Sequence, residues 1–279
     1  MTAQPTPRTP SPGAVRQAAP ETSYTSPIPI RRTHLGHAIT SEWTKIRSLR
    51  STVWTLGIYL VLVVGIGLLV ATKTHDTDYV DMPYTIPAFF GLILGQICLI
   101  TLGVLVISSE YGTGMIRTTF TASPQRHRVL AAKMTVFFCV AFAVSVLSVG
   151  LVGLVTSRLH NDSSNRDWLD TVFKGSLYVS LLGVLALAVG SILRHSAGAI
   201  TTVLALVLVP AILPAFLLIP HSTRPIGNKM MEYNAPNALA KIFHIDKGID
   251  GGTAQLWVLA ALTAVAVATA FALLERRDV

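Results

Sequence analysis

Six stretches of this chain are long, apolar and free of charge, and no other feature limits its fold as severely. They cover residues 53–71, 86–107, 134–156, 176–193, 199–219 and 256–274, and none contains Asp, Glu, Lys, Arg or His. In hydrocarbon every backbone amide and carbonyl needs a partner within its own segment, so a run of about 18 or more apolar residues reads as a bilayer-crossing helix. The fourth run is the shortest. Charged residues make up 13% of the 279 and hydrophobic residues 51%, whereas a soluble domain is roughly a quarter charged. The expected fold class is an all-α integral membrane protein with six transmembrane helices.

Seven of the 15 prolines fall in the first 30 residues, among Ser, Thr and Gln and without an apolar centre. Residues 1–34 therefore read as a disordered, proline-rich cytoplasmic tail rather than a secretory signal, and residues 35–279 as the membrane domain. Lys and Arg are dense before the first run, whereas the connector after it has Lys73 with Asp76, Asp78 and Asp81. The positive-inside rule then places both termini in the cytoplasm, with residues 1–52, 108–133, 194–198 and 275–279 on that side. The net charge of +8 is on this reading a topology signal and not a nucleic-acid footprint, because the basic residues flank the runs. Cys98 and Cys139 lie inside apolar runs and imply no disulfide framework.

No Gly is followed by Lys, so the phosphate loop G-x-x-x-x-G-K-[ST] is absent. The chain is expected not to be an enzyme. The histidines are scattered without H-E-x-x-H, and no metal site is expected. The stretch His75-Asp76-Thr77-Asp78 with Asp81 lacks the central Gly and distal Glu of a calcium loop. Runs without a carboxylate, His or Lys also argue against a proton-driven carrier, while leaving sodium coordination by backbone carbonyls open.

Two segments of the cytoplasmic side have pattern of their own. In "LGHAITSEWTKIRSLR", Leu35, Ile39, Trp43, Ile46 and Leu49 recur at helical spacing, with Thr40, Ser41, Thr44 and Ser48 opposite and Lys45 and Arg47 on the flanks. That is the pattern of an interfacial helix with Trp43 as anchor and its cations snorkelling, although a plain juxtamembrane basic segment also fits. Arg50 falls on the apolar stripe, so the helix is expected to end or turn before the first span. The second segment, "SSEYGTGMIRTTFTASPQRHRVLAAK", is too long for a plain connection. Gly112 and Gly114 are expected to interrupt a helix, Met115 to Phe120 to form a short one, and Pro124 to mark a turn.

"SEWTKIRSLRSTVWTL" and "SSEYGTGMIRTTFTASPQRHRVLAAK" together resemble the membrane subunit, or permease, of type-2 ATP-binding-cassette (ABC) transporters, in particular the small bacterial six-helix permeases. The resemblance implies a homodimer of permeases in the bacterial plasma membrane. It further implies two soluble ABC ATPase subunits as partners, which bind the ATP and Mg, with no cofactor in this chain. It places Glu110, Tyr111, Thr113, Gly114, Ile116, Arg117 and Thr118 in the coupling element that meets the ATPase. The family often has a basic residue after the Glu-Tyr pair, where this chain has Gly112. It also implies an amphipathic helix before the first span and a hairpin of short helices before the last. Residues 220–255, interrupted by Pro220, Pro225 and Pro236, fit either that hairpin or a simple external loop.

On this reading ATP-driven closure of the ATPase pair pushes on the connector and tilts the first two spans, exporting a substrate. Gln96, Thr101 and Ser145 among apolar neighbours suit an amphiphile. Gly91 and Gly95 allow close helix approach within the subunit, and Pro210 and Pro214 are expected to kink the fifth span. A non-transporting scaffold or immunity protein and a secondary carrier are the rival classes, and the carrier is weakened by the lack of an internal repeat.

Overall fold

The computed structural model describes residues 34–74, 83–122, 125–160, 168–245 and 251–276. The expected tail lies outside these residues but for His34, as do the acidic stretch after the first span and the Pro124 turn. Every element among the described residues is helical. They are α1 (Leu35–Ser48), α2 (Arg50–Lys73), α3 (Ile86–Gly112), α4 (Met115–Ala122), α5 (Arg126–His160) and α6 (Trp168–Leu193). There follow α7 (Ser196–Ile212), α8 (Pro214–Leu217), α9 (Arg224–Tyr233), α10 (Ala235–Ile242) and α11 (Thr253–Arg276). Six helical stretches are long and apolar enough to cross a membrane, α7 and α8 counting as one. The shortest apolar run is the carboxyl-terminal part of the 26-residue α6, whose amino-terminal turns carry Asp170 and Lys174 as an ion pair.

α6 and α3 are the centre. α6 packs against α3, α5, α7 and α11, while α2 lies along α3 and α5. The outer helices α2, α7 and α11 keep most of their apolar surface exposed, as helices do that use lipid as solvent. Glycines set the close approaches. A Cβ on Gly91 would stand 2.6 Å from the Val63 Cα, and one on Gly95 would meet the Tyr59 ring at 3.0 Å. The G-x-x-x-G pair therefore serves α2–α3 packing inside the chain, as the spacing suggested. Within the same layer the Tyr59 hydroxyl and Ser145 Oγ share a 2.6 Å hydrogen bond that ties α2 to α5.

Proline acts differently in the two places where a break was expected. In the fifth span Pro210 stays inside α7, whereas Pro214 ends it: the helix stops at Ile212 and α8 starts afresh at Pro214. Lacking an N–H, Pro214 cannot bond the Pro210 carbonyl. The Asn234 Nδ2 approaches that oxygen at 3.5 Å, and its Oδ1 accepts from the Asn237 amide at 2.8 Å, capping α10. Pro225 and Pro236 do not break their segment but sit in the first turns of α9 and α10, where an amide has no helical partner anyway. A simple loop is thereby replaced by a helical hairpin. Ala238, Leu239, Ile242 and Phe243 bury it against the bundle, and the Phe243 ring lies where a Cβ on Gly175 would fall 2.8 Å away.

Asn234→Leu is expected to lower stability by about 2 kcal/mol, the sum of a lost cap and a lost carbonyl partner. Asn234→Ser keeps a capping oxygen and should lose about half as much; unfolding midpoints in mild detergent check both.

Candidate functional site

α1 ends at Ser48, a single extended residue, Leu49, follows (φ −77°, ψ 111°), and α2 begins at Arg50. The turn comes where Arg50 on the apolar stripe suggested it. α1 then lies along α5. Trp43, Leu35 and Leu49 remain exposed, and the face buried against the bundle carries Glu42 and Ile46. Trp54, 72% exposed in the first turns of α2, and Trp257, 74% exposed in those of α11, are placed as the aromatic belts of a membrane protein are.

Between α1, the end of α3 and the start of α5 four charges meet. Lys133 Nζ donates to Glu42 Oε2 at 2.5 Å and to Glu110 Oε1 at 2.8 Å. Lys45 Nζ donates to Glu42 Oε1 at 2.7 Å and to Glu110 Oε1 at 2.9 Å. Glu42, Glu110 and Lys133 are 3%, 5% and 1% exposed. Two carboxylates and two ammonium groups cancel, which is the condition for charge to persist at such burial. Burial acts to lower the pKa of Lys45, and its bonds to Glu42 and Glu110 outweigh it, so the ammonium titrates above the ordinary lysine value. Lys45 is therefore charged at neutral pH. Lys45 does not snorkel outward, as its place on the flank of the stripe suggested: two carboxylates turned toward it are a better partner than headgroup water. Glu110 Oε2 is buried and has no hydrogen-bond partner among the described residues.

The other residues expected in the coupling element spread over the same end. Tyr111 is half-buried under the Arg194 guanidinium, 5.1 Å from the ring centroid, and Arg194 holds a left-handed turn (φ 55°) between α6 and α7. Thr113 caps α3, its amide donating to Ser109 O at 3.0 Å. Gly114 takes φ 72° with open space around it, a conformation that favours glycine. It reverses the chain into α4, the short helix expected after the glycines. Ile116 is buried and fixes α4 to the bundle, while Met115 and Thr118 are exposed. Arg117 lies in α4, its side chain outside the described residues. Arg47, in the last turn of α1, is exposed.

Sequence reasoning missed Glu42 as a partner of Glu110 and gave Lys133 no role. A signal was present: Glu42 is the one carboxylate between residues 22 and 75, and Glu110 the one between 82 and 161. Two lone acids among many cations at one end of the bundle are candidates for buried pairing. Among the described residues no three His, Cys, Asp or Glu side chains gather where a metal ion could be held.

Six membrane-length helices, a short helix on a glycine turn and a neutral charge cluster beneath it define a polytopic membrane protein with a built cap at one end. The chain belongs to the ABC-2 family transporter proteins, whose family pattern matches residues 38–221. It is thus a permease component of an ABC transporter. The match runs from within α1 through α8, with every residue of the cluster, and stops before α9. No curated protein matches the chain.

Proposed function

We propose that this chain is the permease subunit of an ABC exporter, paired with a second copy of itself and driven by a separate soluble ATPase that binds ATP and Mg. The observation that carries this reading is the position of α4. It presents Met115 and Thr118 to solvent, is anchored by Ile116, and adjoins a cluster that clamps α1, α3 and α5 together. A push on α4 then reaches three elements at once, because packed helices joined by buried ion pairs move as units. Glu110 acts from inside as the clamp, and Thr113, Thr118 and Arg117 belong to the segment that meets the ATPase. We place that end of the bundle in the cytoplasm, which the excess of Lys and Arg in its segments supports. The exposed apolar faces of α2, α7 and α11 serve lipid and the second copy, and an amphiphile in the cell membrane suits a path along them.

The test is co-purification in mild detergent with the ABC ATPase encoded nearest to this chain. Wild type is expected to retain the ATPase and raise its turnover. Thr118→Trp, at an exposed position, should lose capture by about tenfold or more while its unfolding midpoint stays at the wild-type value. Wild type that neither captures nor stimulates the ATPase would overturn the reading.

A further inference from the structure

A half-open cavity of about 340 Å³ lies between α1, α4 and the first turn of α5. Its charged lining is Glu42, Lys45 and Arg128. Both oxygens of Glu42 are taken, Oε1 by Lys45 and Oε2 by Lys133, and these groups balance within the neutral cluster. Arg128 therefore supplies the surplus charge. It already takes part in an interaction, and the five N–H donors of a guanidinium leave room for more than one acceptor.

Around Arg128 stand donors that lack an acceptor. Ser41 Oγ and Thr119 Oγ1 line the cavity and have no hydrogen-bond partner among the described residues. His37 Nδ1 accepts from the His34 amide at 3.4 Å, which leaves the imidazole proton on Nε2 as a further donor. The first turn of α1, which also lines the space at His34 and His37, carries no acidic residue, so the positive end of its dipole is uncompensated.

Donors on three helices call for an anion with several acceptor oxygens. A phosphate monoester presents three on one tetrahedral centre and matches an arginine fork, whereas a carboxylate presents two in one plane. The space equals about eleven waters at roughly 30 Å³ each, enough for the phosphate with a small organic group. Trp43, two residues from both Ser41 and Lys45, lies about 200° round the helix from them and faces the headgroup layer. The cavity thus opens away from the bilayer, toward water. We propose that it binds a phosphate monoester, whose oxygens accept from Arg128, His37, Ser41 and Thr119 and bridge α1, α4 and α5. The site is complete within one chain and needs no ATPase.

Glycerol 3-phosphate is the probe, and its broadened phosphorus NMR resonance reports binding to the full chain in neutral detergent at constant ionic strength. Glycerate, its carboxylate counterpart, should displace it about tenfold less well, as the loss of one charge-assisted hydrogen bond implies. Ala38 lines the cavity without a polar side-chain group, so Ala38→Glu and Ala38→Gln add the same bulk and differ in charge. The glutamate should weaken binding by about tenfold or more relative to the glutamine, with both unfolding midpoints near that of wild type. Nanodiscs of phosphatidylcholine with and without phosphatidic acid separate the sources of the ester. An unchanged affinity for the probe assigns the site to a soluble ester, the expected result, and competition by the lipid assigns it to a headgroup. No binding by wild type, equal displacement by glycerate, or equal affinities of the two Ala38 variants would each overturn the proposal.

Discussion

Lys133→Met is expected to destabilise the folded chain by about 3–5 kcal/mol, the usual result of removing one member of a buried ion pair. Lys133 alone bonds Glu42 Oε2, and it shares Glu110 Oε1 with Lys45. Its loss leaves two buried carboxylates facing a single ammonium. Met fills the stem's space, so the loss reports charge rather than a cavity. The pairing is checked by a double variant. Glu42→Leu with Lys133→Met leaves Lys45 with Glu110, a neutral pair, and should recover most of the stability lost in the single variant. Denaturation midpoints in one detergent, read for wild type, both singles and the double, give the coupling. Additive losses would mean that the four groups do not act together.

Gly103→Val is expected to be the most damaging substitution at a helix crossing, at about 3 kcal/mol. A Cβ on Gly103 would run into the Gly183 carbonyl oxygen of α6, and one on Gly183 would meet the Phe137 ring at 2.8 Å. Backbone cannot step aside as a side-chain tip can, so α3 and α6, the two central helices, must separate. Gly65 of α2 is the control, because a Cβ there would find nothing within 4 Å. Gly65→Ala should leave stability unchanged or raise it by up to about 1 kcal/mol through helix propensity. Equal effects at the two positions would show that helix spacing here is not set by glycine.

The six spans were legible because hydrocarbon tolerates few alternatives: a run without charge has one way to satisfy its backbone. The end of α3 was legible for a local reason too, since Gly112 and Gly114 flank a reversal that needs φ 72°. Pairing between residues 42 and 133, or 45 and 110, depends on how helices far apart in sequence are brought together, and periodicity along one helix has no access to it. The stripe through Trp43 was read as the informative face of α1, and the structure puts the consequential groups, Glu42 and Lys45, beside it. Prolines misled for a related reason. Pro225 and Pro236 look like breaks, yet each sits in the first turn of a helix, Pro236 just behind the Asn234 cap, which pairing beyond the local sequence holds in place.

The one-residue link at Leu49 makes α1 a lever with a short arm. A single residue reaches ~3.3–3.6 Å, so the carboxyl end of α1 cannot travel away from α2; it can only pivot. Glu42 lies seven positions from that pivot, ~10 Å along a helix, and hydrogen bonds to it fail once stretched by about 1 Å. A rotation of α1 of about 6° therefore opens the charge cluster. Held by a neutral group of ions beside the apolar contact of Ile46, α1 has the build of a detent: the ion pairs resist small turns and release within a few degrees.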